Sequence, residues 1–304
     1  MNENSITNKP LGIPYGMMNF VAIREDNYYY VDKTRFIEKI ENSNRYFFFI
    51  RPRRFGKSLT MSMLRHYYDI NTADKFERLY GDLYIGKNPT PNRNKYLVMN
   101  LNFAVVNADL GNYRSAMDAH CNTRFNSFCD QYAAYLPVGI KEELNNKNGC
   151  VEQLDYLYEE CSKAGQKIYL FIDEYDHFTN NILSDATREK EYRKETHGTG
   201  YLRTFFDTIK SGTDSSIERV FITGVSPVTL DDLTYDGYDI RKKEQLMAYC
   251  GDFKPFFQYI ADSIYTFASQ HDRQKGESFV DGYTLALTSL CRFYRPITIL
   301  SGRF

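Results

Sequence analysis

Four short apolar runs lie between residues 46 and 223, and polar residues follow each of them. They cover residues 46–50 (YFFFI), 96–103 (YLVMNLNF), 167–172 (KIYLFI) and 219–223 (RVFIT). Apolar runs of this length are typical of strands that are buried on both faces of a sheet. The pattern therefore predicts four core strands.

Stretches with helical periodicity separate these runs. After the first run, Leu59, Met63, Leu64 and Tyr67 recur at the spacing of one helix face. Further helices are predicted over residues 116–136, 150–163 and 201–210. Alternating strands and helices favour an α/β fold, in which a parallel sheet carries helices on both faces. Ligands of such sheets bind at the carboxyl ends of the strands.

Composition narrows the class of protein. Of the 304 residues, 42% are hydrophobic and 25% are charged, as in ordinary globular domains. The net charge of -1 provides no overall basic field, so contact with nucleic acid would need a local patch. The polar first residues lack the apolar core of a signal peptide, and no apolar run is long enough to span a membrane. We expect a cytoplasmic protein whose six cysteines are reduced and mostly buried.

The segment RPRRFGKS lies between the first strand and the helix after it. Gly56, Lys57 and Ser58 match the end of the phosphate-loop pattern G-x-x-x-x-G-K-[ST], whereas Arg51 stands in place of its first glycine. In such loops backbone N–H groups bind phosphates, the lysine contacts the outer phosphates and the serine hydroxyl ligates Mg²⁺. The predicted ATP-binding residues are Arg51, Pro52, Arg53, Arg54, Phe55, Gly56, Lys57, Ser58 and Leu59.

The non-glycine residues of this loop change its expected properties. Pro52 fixes its own φ near -65°, so the loop should be stiffer than usual. Arg53 and Arg54 add positive charge, which either favours ATP or holds an acidic neighbour. A GKS tripeptide at a helix start also arises by chance, so this motif alone is weak.

Two further motifs follow later strands. In YLFIDEYD, Asp173 is predicted to hold Mg²⁺ and Glu174 to polarise the attacking water, although an acidic loop after a core strand is a simpler alternative. In FITGVSP, Thr223 ends a strand and can sense the γ-phosphate or orient water. Three motifs in order at three strand ends predict a nucleotide site, with catalytic roles for Lys57, Glu174 and Thr223 and metal ligation by Ser58 and Asp173.

These segments together resemble the AAA-ATPase-like proteins of bacteria. The resemblance covers residues 11–233 and rests on YYYVDKTRFIEKI, RPRRFGKSL, LFIDEYD and FITGVSPVTLDDLT. In that family arginine is the usual residue at the position of Arg51, which implies a variant loop and not a defective one. The resemblance also implies a P-loop NTPase fold of AAA/ASCE type, with a Walker B pair at Asp173 and Glu174 and a sensor-like residue at Thr223.

The resemblance divides the chain into an ATPase-like domain, residues 1–245, and a small helical segment, residues 246–304. Members of that family usually continue with a PD-(D/E)xK nuclease-like domain, and the second segment resembles only its opening. Glu277 matches the acidic residue of the first nuclease helix, but the remaining metal-binding residues have no counterpart before Phe304. We expect no nuclease activity from this chain, and both a fragment and a natural remnant stay open.

Three functions are compatible with these motifs. The leading hypothesis is an Mg²⁺-dependent ATPase that drives a conformational change, because a mere binder needs no water-activating carboxylate. A nucleotide-dependent switch or interaction module with little turnover is the alternative, and a small-molecule kinase ranks third because no acceptor pocket is recognisable. A homo-oligomer is compatible with the motifs, since a neighbouring subunit can supply an arginine finger. A nucleic-acid or protein target stays open.

Overall fold

The structure is a computed structural model that describes residues 12–51, 55–106, 113–177 and 200–225. Its centre is a sheet of four parallel strands in the order β1-β4-β3-β2. The strands are β1 (Tyr46–Ile50), β2 (Leu97–Asn102), β3 (Ile168–Asp173) and β4 (Ile217–Gly224). All four predicted strands are confirmed, with ends that differ from the prediction by at most two residues.

Helices cover both faces of this sheet, as predicted. They are α1 (Phe20–Glu25), α2 (Phe36–Glu41), α3 (Lys57–Tyr68), α4 (Phe76–Tyr80), α5 (Tyr84–Lys87), α6 (Tyr113–Gln131), α7 (Ile140–Asn145), α8 (Gly149–Lys163) and α9 (Tyr201–Gly212). Short 3-10 helices cover Ile70–Lys75 and Phe103–Val105.

Side chains that alternate along each strand supply two cores. On one face, Leu97, Met99 and Leu101 of β2 pack in a cluster with α6, α8 and α9. On the other face, Val98 of β2 and Phe171 of β3 pack with α1 to α5 in an aromatic-rich cluster. Tyrosine and phenylalanine rings of the described residues fill much of both cores, because rings of this size bury large apolar areas.

Helix α6 differs from its prediction. The periodicity predicts a helix over residues 116–136, whereas α6 begins at Tyr113 and ends at Gln131. A turn follows, in which the Tyr135 N–H donates to the Tyr132 carbonyl at 2.8 Å. Pro137 keeps Leu136 out of the helical conformation, so the helix cannot reach its predicted end, and the turn after Gln131 ends it earlier.

Two other predictions concern the cysteines and the end of the chain. Cys121, Cys129, Cys150 and Cys161 are buried free thiols, as expected. Cys250, Cys291 and the predicted helical segment over residues 246–304 lie outside the described residues, and the boundary at residue 245 stays a prediction. Within the described ranges, no helix combines the length and apolar character that crossing a membrane requires.

Candidate nucleotide site

The start of α3 is set by the backbone of Gly56. Gly56 adopts a left-handed conformation with φ 74°, directly before the first helical residue, Lys57. A Cβ on Gly56 would have no neighbour within 4 Å among the described residues, so the positive φ is the reason that these residues give for glycine here. Phe55, just before it, is 65% exposed. Pro52, Arg53 and Arg54 lie outside the described residues.

The structure explains how arginine fits at the first position of the loop. The Arg51 N–H donates to the Gly224 carbonyl at 3.2 Å, which extends the pairing of β1 with β4 by one residue. Strand pairing tolerates a side chain, so this position does not need the freedom of glycine. The guanidinium carbon lies 5.3 Å from the centre of the Phe49 ring, and burial lowers the pKa of Arg51.

The lysine of the loop is held next to this strand end. Lys57 is 5% exposed, and its Nζ donates to the Arg51 carbonyl at 3.0 Å. A buried ammonium group at the N-terminus of a twelve-residue helix concentrates positive charge where the backbone N–H groups also point. This arrangement suits a phosphate group, as the motif predicts.

Ser58 and Asp173 come together although 115 positions separate them in the sequence. The Ser58 Oγ lies 3.5 Å from the Asp173 Oδ2. The Thr223 hydroxyl donates to the other carboxylate oxygen, Oδ1, and so fixes the orientation of the carboxylate. A serine hydroxyl and a carboxylate are hard oxygen ligands of the kind that Mg²⁺ binds, so the residues fit this ion.

Glu174 lies in the turn directly after β3. Its φ is 53°, which is uncommon for a residue with a side chain, and its N–H donates to the Thr223 Oγ1 at 3.4 Å. Among the described residues, no hydrogen bond or salt bridge involves its half-buried carboxylate. The turn therefore presents an uncommitted carboxylate beside Asp173, in a strained backbone conformation of the kind that clusters at functional sites.

Comparison with known proteins agrees with this geometry. The family model for predicted AAA-ATPases, AAA-ATPase_like, matches residues 14–234. The chain belongs to this family. It is 27% identical over 235 residues to a protein of Azotobacter chroococcum mcd 1 described as an uncharacterized protein in the vnfD 5′ region. The match covers 74% of this chain but 41% of that relative, so the chain spans about two-fifths of the relative's length. No solved structure matches the chain.

Membership in the AAA-ATPase-like family indicates a nucleotide-binding protein. The structure brings seven of the predicted site residues to one edge of the sheet: Arg51, Gly56, Lys57, Ser58, Asp173, Glu174 and Thr223. Leu59 instead packs, partly buried, against the aromatic-rich core on the α3 face of the sheet. Its role in nucleotide binding, like the individual roles of the other residues, stays a prediction.

Three residues that support this edge were missed by the sequence analysis. The Tyr175 N–H donates to the Thr223 carbonyl at 3.1 Å, and the fully buried Asp176 accepts from the Val225 N–H at 2.9 Å. Both bonds tie the turn that carries Glu174 to the end of β4. A Cβ on Gly224 would lie 2.4 Å from the Tyr175 ring. The glycine in FITG, which is the last residue of β4, was the signal for such a close approach.

A cavity of about 350 Å³ lies beside Ser58 and Asp173, which both line it. Arg65 and His66 of α3 and Asn100 of β2 also line it. No pocket was predicted here from the sequence. The sequence of β2 contains a signal for one, because Val98, Asn100 and Asn102 alternate along the strand and share the face that packs against α3. Two polar residues on a face that is otherwise apolar indicate a polar cavity.

Proposed function

We propose that this chain binds ATP together with Mg²⁺ at the carboxyl ends of β1, β3 and β4, and hydrolyses it. The observation that carries the proposal is the approach of Ser58 to Asp173, 3.5 Å between Oγ and Oδ2. This approach supports the proposal, because two residues from separate motifs lie close enough to contact one cation, and a chance match to either motif would not bring them together.

Each polar group then has a separate task. The Lys57 amine and the N–H groups at the start of α3 bind the phosphates. Bound Mg²⁺ supplies charge neutralisation for the outer phosphates. Thr223 holds the Asp173 carboxylate and the Glu174 N–H in position by two hydrogen bonds.

Hydrolysis, as distinct from binding, depends on Glu174. A carboxylate that has no partner among the described residues is available to accept a hydrogen bond from the attacking water and so orient it. The turn after β3 fixes the backbone of Glu174, which keeps the base close to the metal-ligand pair. We further propose that turnover drives a conformational change in a target that the motifs do not identify.

Glu174→Gln tests this proposal. The amide keeps the size of the side chain but removes the base, so ATP affinity should be unchanged while phosphate release falls by about 100-fold or more. Glu159→Gln, on the exposed face of α8, is the matched control and should behave like the parent chain. The measurements are ATP titration by calorimetry and steady-state phosphate release.

Two outcomes would contradict the ATPase. Equal phosphate release by the parent and Glu174→Gln would remove Glu174 from its role. ATP binding by the parent without any phosphate release would assign the chain to nucleotide-dependent switches instead.

A further inference from the structure

The cavity that Ser58 and Asp173 help to line also contains polar atoms that have no partner among the described residues. Arg65 lines it from α3, and its buried Nε has no hydrogen-bond partner within those residues. Asn100 lines it from β2, and its buried Oδ1 is equally unpaired. The great majority of buried polar atoms in proteins are hydrogen-bonded, so two unpaired atoms in one cavity need an explanation.

Arg65 is the charged residue of the two. It is half-buried, and its Nε is fully buried. Burying an N–H group of a guanidinium destabilises the folded chain unless that group is hydrogen-bonded. Asp69 and Asp173 attract it electrostatically, but no hydrogen bond or salt bridge joins Arg65 to either of them within the described residues. The oxygens of Asp69 accept instead from the Asn71 N–H at 2.9 Å and from the Gln131 side chain at 3.0 Å.

The shape and lining of the cavity restrict what could satisfy these atoms. Its volume of about 350 Å³ is at the small end of the range for ligand pockets, about 300–1,000 Å³. Ser58, Ser62 and Arg65 fall on one stripe of α3, at helical spacing, and Asn100 faces them from the sheet. The lining therefore offers a fixed cation and an amide on opposite walls.

We propose that this cavity is a second ligand site, which takes a small molecule that carries an oxyanion, either a carboxylate or a phosphate monoester, and a hydroxyl or ammonium donor. The oxyanion pairs with Arg65, because guanidinium groups match the planar geometry of carboxylate and phosphate oxygens. The donor satisfies the Asn100 Oδ1. The site lies beside the proposed magnesium ligands, but its occupancy does not require the proposed ATPase activity.

Titration calorimetry with three probes tests the site in the nucleotide-free chain. The probes are glycerol 3-phosphate, L-malate and glycerol. We expect saturable binding of at least one of the first two and none of glycerol, which lacks the oxyanion. The probe that binds more tightly distinguishes a phosphate ligand from a carboxylate ligand.

Variants then assign the binding to the cavity. Arg65→Met should weaken probe binding by about tenfold or more, and Asn100→Asp should also weaken it, because its carboxylate repels the oxyanion. Arg78→Gln is the control, since Arg78 is an exposed arginine that pairs with Glu25 away from the cavity. The phosphate loop itself attracts oxyanions, so Lys57→Ala is titrated as well and should retain the binding that Arg65→Met loses.

A purely structural role for Arg65 gives a different result. If the arginine stabilises the fold through Asp69, Arg65→Met should lower the melting temperature of the ligand-free chain. If the arginine serves a ligand, the melting temperature should stay the same or rise, because the substitution removes a buried N–H group that has no partner among the described residues.

Several results would overturn the proposal. They are a lack of saturable binding by both oxyanion probes, equal binding by Arg65→Met and the parent, or binding that Lys57→Ala abolishes and Arg65→Met keeps. A lower melting temperature of Arg65→Met would overturn it as well. Failure of ATP binding by the parent would contradict the proposed function alone, since the probes are titrated without nucleotide.

Discussion

Helix α3 presents two polar surfaces whose charges are held in different ways. At its start, the Lys57 amine donates to the Arg51 carbonyl, and Ser58 approaches Asp173. Eight residues later, about 12 Å along the axis, the buried Arg65 Nε has no hydrogen-bond partner among the described residues. At the first surface the polar groups contact other protein groups. At the second surface the Arg65 Nε has no such contact within the described residues.

The two surfaces also differ in how they are encoded. The first follows from sequence motifs, because Arg51, Lys57 and Ser58 belong to one contiguous segment and Asp173 ends the apolar run of a second motif. The second forms only when Asn100 of β2 packs opposite α3, which no local pattern specifies. A single helix can thus carry one site that a motif reveals and another that tertiary structure creates.

The largest expected effect is that of Lys57→Ala on nucleotide affinity. The variant removes a charge-assisted contact worth about 1.5–3 kcal/mol, so the Kd for ATP should rise roughly 10- to 150-fold. Calorimetric titration in the presence of Mg²⁺ measures this change. Lys163→Ala removes a lysine that pairs on the surface with Glu160 at 2.7 Å, and it should leave the affinity unchanged.

The same variant sharpens the comparison between the two surfaces of α3. Binding of the oxyanion probes should survive in Lys57→Ala and disappear in Arg65→Met. If either substitution abolished the binding of both ATP and the oxyanion probes, the two surfaces of α3 would form a single site.

Gly224→Ala should have an intermediate effect, on stability and on hydrolysis. Its Cβ would lie 2.4 Å from the buried Tyr175 ring, so the turn that carries Glu174 must shift. Overpacking of this kind costs about 1–3 kcal/mol in the free energy of unfolding. Urea unfolding measures this loss, and phosphate release should fall more than ATP affinity does.

A double-mutant cycle with Tyr175→Ala checks the cause. In that background the ring is absent, so adding Gly224→Ala should cost less than it does in the parent. If the losses in the free energy of unfolding of the two single variants simply added up in the double variant, the clash with Tyr175 would not be what destabilises Gly224→Ala.

The smallest expected effect is a pH dependence of the free energy of unfolding that comes from His66, which lines the cavity. Burial, together with the positive charges of Arg65 and Lys75, lowers the pKa of His66 from 6.5 to about 4. The His66 imidazole therefore binds a proton more readily in the unfolded chain than in the folded one. The contribution of neutral His66 to the free energy of unfolding is complete above about pH 6.5 and is lost as the pH falls towards 4.

His66→Gln should remove this pH dependence. Between pH 7 and pH 5 the parent should lose about 1–2 kcal/mol more of its free energy of unfolding than the variant loses. Urea unfolding at the two pH values measures the difference, and Lys57→Ala should behave like the parent. An equal loss in the parent and in His66→Gln would show that the neutral form of His66 is not favoured by folding.

Local patterns predicted the parts of the fold that depend on local sequence. The run YFFFI predicted β1 with its observed ends, because five adjacent apolar residues have the length of a strand and are too few for a helix. Only Phe47 and Ile50 are buried, because β1 is the first strand in the order of the described sheet. Helix α6 ended five residues before its predicted end, because a turn that precedes Pro137 overrides the apolar periodicity. Short helices such as α4 and α5 carry too few residues for a periodic signal.

The candidate site was predictable to a similar extent. The order of the motifs predicted that Lys57, Ser58 and Asp173 would meet, since parallel strands bring their carboxyl ends to one edge. The sequence did not predict that Tyr175 and Gly224 support the turn with Glu174. This support depends on the packing of the Tyr175 ring against Gly224 at the end of β4, which no local pattern specifies. The pairing of Arg51 with Gly224 likewise depends on β4 lying beside β1.

The most direct test of the nucleotide site is calorimetric titration of ATP into the parent chain, with and without Mg²⁺, beside Lys57→Ala. The account predicts saturable binding of one ATP per chain, an affinity that Mg²⁺ increases, and a loss of affinity in Lys57→Ala. Absence of saturable binding by the parent, or equal affinities in the parent and Lys57→Ala, would contradict it.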